Sequence, residues 1–177
     1  MDSKDACGVW LTGLPASGKS TVARALKSAL DARGVNCAVL ESDVLRGVLT
    51  PRPRYDDEER DTFYRQMVYI GTLLTRHGVA VIFDATANRR IYRDRARQEI
   101  SKFLEVYVDT PLDVCMSRDP KGIYRNADAG VNSSVPGLQA EYEPPLSPEA
   151  VLHGDAEAPE ESAQRIMALL ADKGYLA

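Results

Sequence analysis

Long apolar runs are missing from this sequence. No window reaches the ~18 consecutive apolar residues that a membrane-spanning helix needs, so a span is excluded and no membrane partner is expected. The first residues, Met1-Asp2-Ser3-Lys4-Asp5, lack the basic-then-apolar order of a secretory leader. Cysteine is scarce: Cys7, Cys37 and Cys115 are scattered, odd in number and without metal-ligand spacing. That argues against a disulfide framework or a zinc site and suits a reducing cytoplasm, the expected location. Histidine is scarcer, and neither His77 nor His153 has a partner suggesting a metal site or a nucleophile relay. Lysine is outnumbered by arginine, six to sixteen, and the net charge of −4 argues against a general nucleic-acid binder. An Asn-Lys-x-Asp element, which would favour guanine, is absent. What is present is 177 residues, 44% of them hydrophobic, with no internal repeat or linker. That suffices for one domain with a real core.

Short apolar runs alternate with amphipathic stretches. Strands are expected over 8–12, 37–40, 79–83 and 103–108, with a short one near 151–152. Helices are expected over about 19–33, 44–49, 56–77, 90–102 and 160–173, with another opened by Pro111. Strands alternating with helices imply a parallel sheet covered on both faces. From Arg118 to about Tyr142 the chain turns rich in Gly, Asn, Asp and Ser without a sustained period, and a mobile lid over about 118–142 is the expectation. The fold class read from this pattern is α/β, a P-loop NTPase-type three-layer fold with a parallel central sheet and a lid segment, in a single domain over 1–177.

The run Gly13-Leu14-Pro15-Ala16-Ser17-Gly18-Lys19-Ser20-Thr21 matches G-x-x-x-x-G-K-[ST] and sits between an expected strand and an expected helix. Its glycines let backbone N–H groups point inward, and the helix N-terminus adds partial positive charge. Lys19 is expected to bridge the β- and γ-phosphates of ATP, and Ser20 to ligate Mg²⁺. Asp43 follows the second strand, where a parallel sheet meets its ligand. It can orient or deprotonate an acceptor hydroxyl, with Arg46 meeting an anion, or it can cap the next helix. Asp84, ending the strongest strand, is a candidate Mg²⁺ ligand or another cap. Arg89, Arg90, Arg93, Arg95 and Arg97 read mostly as solvated or paired with acids, with Arg90 the one placed to reach phosphate. Arg118 and Lys121 put a cation at each end of a turn that could close over phosphates.

These residues resemble the adenylylsulfate (APS) kinase family over nearly the whole chain. Beyond the phosphate loop, the specific strings are Glu105-Val106-Tyr107-Val108-Asp109-Thr110-Pro111-Leu112-Asp113-Val114-Cys115, Arg118-Asp119-Pro120-Lys121-Gly122-Ile123-Tyr124 and Tyr142-Glu143-Pro144-Pro145. The resemblance implies an ATP- and Mg²⁺-dependent transferase acting on a small nucleotide, the 3′-hydroxyl of adenosine 5′-phosphosulfate. It implies that Asp43 serves the acceptor hydroxyl, Arg46 and Arg60 the phosphosulfate, and Tyr55 the substrate adenine. Lys121 and Ile123 fall on lid positions over the substrate, and Arg118 near the ATP base. Family members commonly dimerise, which makes a homodimer the assembly to look for.

The departures cluster on the acceptor side. Glu41-Ser42-Asp43 stands for the family's Asp-Gly-Asp, Phe63 for a substrate-binding Asn, and Val135-Pro136-Gly137 for Phe-Thr-Gly. Thr86-Ala87-Asn88-Arg89-Arg90 replaces Ile-Ser-Pro-Tyr-Arg, so the serine that some members phosphorylate is Ala87. Thr86, Ala87, Asn88 and Phe63 are accordingly counted as acceptor-side positions, with Tyr55 and Phe63 expected to make up the altered clamp. Beside an APS kinase, two other readings follow: a related kinase for another nucleotide- or sugar-linked acceptor, and a nucleotide-binding regulator without transferase activity. Replacing Asp43 by Asn separates the last from the first two.

Overall fold

The structure is a computed structural model describing residues 5–131 and 134–176; residues 1–4, 132–133 (inside the expected lid) and 177 lie outside them. Five strands form one all-parallel sheet: β1 (Gly8–Thr12), β2 (Cys37–Glu41), β3 (Ala80–Asp84), β4 (Phe103–Asp109) and β5 (Ala150–His153), in the order β2-β3-β1-β4-β5. From β1 the chain runs to the edge strand β2, returns to place β3 beside β1, and then crosses to β4 and β5 on the other side, so the crevice at the carboxyl ends lies beside β1, where ligands of such sheets bind. The helices are α1 (Lys19–Ala32), α2 (Ser42–Leu49), α3 (Asp57–Arg76), α4 (Arg90–Glu99), α5 (Leu112–Arg118), α6 (Ile123–Asp128) and α7 (Pro159–Asp172).

Strand alternation divides the core. Val9, Leu11, Ile82, Val106 and Leu152 pack with Val22, Leu26 and Leu30 of α1 and with Ile166 and Leu170 of α7. Trp10, Val81, Phe83 and Phe103 face the other way, against Phe63, Tyr64 and Met67 of α3 and Tyr92 and Ala96 of α4. Trp10 is fully buried, stacks on Phe83 with centroids 4.6 Å apart, and donates its indole N–H to the Ala85 carbonyl at 3.0 Å. The three layers expected from the alternation are present.

Boundaries differ in instructive places. Helix α2 begins at Ser42, and the residue before it, Glu41, makes no side-chain capping bond. Asp43 therefore sits within the first turn rather than capping it. Helix α4 stops at Glu99 rather than 102 because residue 100 is already extended into the approach to β4. Helix α6 was not expected at all. It has six residues, too few for a period to register, and starts after Gly122 at φ 67°. Of the two readings open for Arg93, solvation or pairing with an acid, the structure has the second: it is 1% exposed and its Nε donates to Glu105 at 2.7 Å.

Candidate functional site

The phosphate loop leaves β1 through Gly13, at φ 153°, and enters α1 through Gly18, at φ 106°. A Cβ at Gly13 would strike the Val108 carbonyl and the Ser17 hydroxyl, so only glycine fits there. Lys19 is buried and donates to the loop carbonyls of Gly13 at 3.0 Å and Leu14 at 2.7 Å. Burial pushes its ammonium down to about 8, against the opposing pull of Asp84 and, more weakly, of Asp43. A polyanion at this loop would favour the charged form. Thr110 braces the loop from β4 by donating to the Ser17 carbonyl at 2.8 Å.

A cleft of about 940 Å³ opens over this loop. Pro15 to Thr21 line one wall; Asp43, Arg46, Tyr55, Arg60, Asp84, Thr86 and Asn88 line another; Arg118, Lys121 and Ile123 come from the lid side. The sequence-predicted residues are thus brought together with four exceptions, Gly13, Ala87, Phe63 and Arg90. Gly13 lies behind the loop. Ala87 and Phe63 are buried, 0% and 1% exposed, and do not reach the cleft. Asp84 is buried at the strand end and lines the cleft, whereas the residue before α4 is Arg89, so the capping alternative falls away. Arg90 does not reach toward phosphate either: its guanidinium donates to the Pro144 carbonyl at 3.1 Å and its backbone N–H to Glu143 at 2.7 Å.

On the acceptor side the Arg46 guanidinium lies 4.0 Å from the Phe63 ring centroid and 4.9 Å from that of Tyr55. Phe63 is therefore a floor under the arginine rather than a contact for substrate. Arg60 donates to the Ser134 carbonyl at 2.6 Å, tying α3 to the lid region. The turn after β3 is held from all sides. Thr12 donates to the Thr86 carbonyl at 2.6 Å, the Ala87 N–H reaches the Tyr64 hydroxyl at 3.0 Å, and Arg93 donates to the Ala87 carbonyl. These bonds fix Ala87 at φ 43°, an uncommon conformation for a residue with a Cβ.

The segment expected to form a lid is docked at several points. The Arg118 guanidinium donates to the Gly154 carbonyl at 2.9 Å, Lys121 pairs with Asp43, and Tyr124 of α6 donates to the Pro15 carbonyl of the phosphate loop at 2.8 Å. Where that segment ends, Asn88 donates to the Glu141 carbonyl at 2.9 Å and its own carbonyl accepts the Glu143 N–H at 2.7 Å. Asp119 caps α6 from outside, accepting the N–H groups of Tyr124 at 3.2 Å and Arg125 at 3.0 Å. Burial alone would raise its carboxyl, but the N–H groups of Arg125, Tyr124 and Ile123 outweigh that and hold it below the ordinary carboxylate value. With the folded pKa below the unfolded one, this support is complete above pH ~4 and is lost as pH falls through the lowered value. Asp119→Ala at neutral pH should accordingly speed hydrogen exchange at the Tyr124 and Arg125 amides while leaving those of α1 unchanged. Equal rates at all of them would show that the carboxylate does not hold the helix.

A sequence model of the adenylylsulphate kinase family matches residues 5–153. The chain belongs to this family. The adenylyl-sulfate kinase of Microcystis aeruginosa is 42% identical over 168 residues, spanning 95% of this chain and 93% of its own. That of Rippkaea orientalis is 43% identical over 169 residues, spanning 96% and 93%. A solved APS kinase of Mycobacterium tuberculosis, in complex with AMPPNP and APS, matches with a TM-score of 0.89 at 33% identity, covering 94% of this chain and 98% of that one.

Within this adenylylsulphate kinase family member, four residues at or behind the cleft escape a reading of the sequence. Asp119 and Tyr124 depend on an unexpected helix. Arg93 sits in an arginine-rich run that does not say which of its members is buried. Glu59 stands third in the acidic opening Asp57-Glu58-Glu59 of α3, which reads as helix-terminal charge, yet it is 9% exposed and bonds Arg46 at 2.8 Å. Its burial against Arg46, invisible in one dimension, distinguishes it from its exposed neighbours.

Proposed function

We propose that the protein transfers the γ-phosphate of ATP to the 3′-hydroxyl of adenosine 5′-phosphosulfate, in a single kinase domain whose lid spans about 118–142. The observation that carries this reading is one cleft with a phosphate loop on one wall and Asp43, Arg46 and Arg60 on another. Two arginines suit an acceptor bearing a phosphosulfate, because planar guanidinium groups match such oxyanions. Family membership and the complex of the Mycobacterium tuberculosis relative with AMPPNP and APS support the same pair of ligands.

The residues divide the work between positioning and electrostatics, which dominate phosphoryl transfer. Backbone N–H groups from Ala16 to Thr21 and the amino end of α1 would hold the triphosphate. Lys19 would leave the Gly13 and Leu14 carbonyls for the β- and γ-phosphate oxygens. Ser20 and Asp84 offer one hydroxyl and one carboxylate, hard oxygen donors suited to Mg²⁺, whose other positions would be filled by phosphate oxygens and water. The metal's contribution when bound is to neutralise charge on the transferring group. Asp43 would orient the 3′-hydroxyl and accept its proton, and Lys121 would leave Asp43 to cover the substrate. Tyr55, 43% exposed at the cleft, has the ring surface to stack on the acceptor adenine. Thr86 and Asn88 line the same side, and Arg118 the ATP-base end.

The test is transfer from MgATP to micromolar adenosine 5′-phosphosulfate, with mass spectrometry of the product and a control without acceptor. Turnover of ~1–100 s⁻¹ yielding the 3′-phosphorylated compound is the expected result. No transfer while ATP still binds would overturn it and direct the search to another nucleotide- or sugar-linked acceptor.

A further inference from the structure

We propose that Glu59 is a positioning residue for the acceptor half of the cleft, setting both the Arg46 guanidinium and the Tyr55 backbone with one buried carboxylate. This deepens the function proposed above and rests on Arg46 meeting the acceptor's anion. The carboxylate divides its two oxygens. Oε1 accepts Nη1 of Arg46 at 2.8 Å, in an ion pair whose side chains are 10% and 9% exposed. Oε2 accepts the backbone N–H of Tyr55 at 3.1 Å and that of Arg54. One side chain on α3 thereby connects the cation carried by α2 to the aromatic residue carried by the loop between those helices.

Each connection does something the others do not. An arginine on an aromatic face is free to slide over it, because the attraction to the ring has little direction within its plane. A charge-assisted bond from the side fixes where on the Phe63 ring Arg46 rests and leaves further guanidinium donors for a ligand. Tyr55 is held at φ 59°, which a residue with a Cβ adopts only where its surroundings enforce it. The Glu59 carboxylate on its N–H is one enforcing contact, and the Arg46 guanidinium beneath its ring is another. Asp56 already caps α3, accepting the Glu59 N–H at 2.9 Å, so the helix start does not depend on the Glu59 carboxylate alone.

The experiment combines Glu59→Ala, Glu59→Gln and Arg46→Ala with the double variant Arg46→Ala/Glu59→Ala, read by steady-state kinetics and by hydrogen exchange without substrates. Glu59→Ala should raise KM for adenosine 5′-phosphosulfate ~10-fold or more, with kcat and KM for ATP changed less than ~2-fold. Glu59→Gln, whose single amide oxygen can accept from Arg46 or from the Arg54 and Tyr55 N–H groups but not from both, should recover only part of the loss. In the Arg46→Ala background, Glu59→Ala should raise acceptor KM less than it does alone, because the part of its action that runs through Arg46 is already gone and only the Tyr55 contact remains. The Arg54 and Tyr55 amides should exchange ~10-fold faster in Glu59→Ala while amides of the phosphate loop do not. An unchanged or lowered acceptor KM would make Glu59 a counter-ion or a cap and overturn the proposal, as would an equal rise in KM for ATP or a fully additive double variant. Should the wild type fail to phosphorylate adenosine 5′-phosphosulfate, the functional reading fails, and the exchange rates still decide the positioning role: unchanged protection at Arg54 and Tyr55 overturns it.

Discussion

Lys19→Met should lower kcat for phosphoryl transfer by ~10²–10³-fold, the usual cost of removing one preorganised charge from a developing transition state. Its thermal midpoint should hardly move. Two effects oppose each other in the folded protein. The ammonium donates to the Gly13 and Leu14 carbonyls, and losing charge-assisted bonds destabilises. It is also buried, and burial weakens its hold on the proton, so the fold carries that charge at a cost which methionine, of similar length, does not incur. Calorimetry beside steady-state kinetics checks both halves. A kcat within tenfold of wild type would remove Lys19 from the chemistry, whereas a large drop in the midpoint would make it chiefly a brace for the loop.

Asp43→Asn should lower kcat by ~10²–10⁴-fold, the range for a lost general base, with ATP affinity unchanged. Stability should change little, because the Lys121–Asp43 pair is more than half exposed on both sides and such pairs contribute ~0–1 kcal/mol. The sign for KM of the acceptor is less obvious and more informative. Lys121 must leave Asp43 before a hydroxyl can take its place, so the neutral amide releases the lysine more readily and acceptor KM should not rise. ATP titration calorimetry and initial rates against both substrates measure these quantities. A variant that keeps more than a tenth of the wild-type kcat would mean that Asp43 does not handle the proton.

Much of this could be read in one dimension because it is local. The phosphate loop is a contiguous string whose backbone path follows from its own glycines, and the strand-helix alternation follows from side-chain period. The acceptor side is not contiguous. Phe63 looked like a member of a substrate clamp because of the residue it replaces, yet it lies at helical spacing with Met67 and Ile70, and its burial follows from that spacing. The arginine-rich run over 89–97 hid Arg93, whose partners Glu105 and the Glu143 carbonyl are 12 and 50 residues away. The lid helix escaped because its capping carboxylate, Asp119, stands outside the position where a cap is sought.

The packing of Trp10 makes the molecule its own optical reporter. It is the sole tryptophan, its ring is shielded from water, and its indole N–H ends on the carbonyl that begins the acceptor-side turn. Emission excited at the red edge of absorption comes from this one site and lies at short wavelength while the sheet is intact. A ligand that shifts residues 85–88 alters the indole's hydrogen bond and with it the intensity, whereas one confined to the far end of the cleft leaves the signal as it was. A change in that intensity on adding acceptor would report movement of this turn with no label attached.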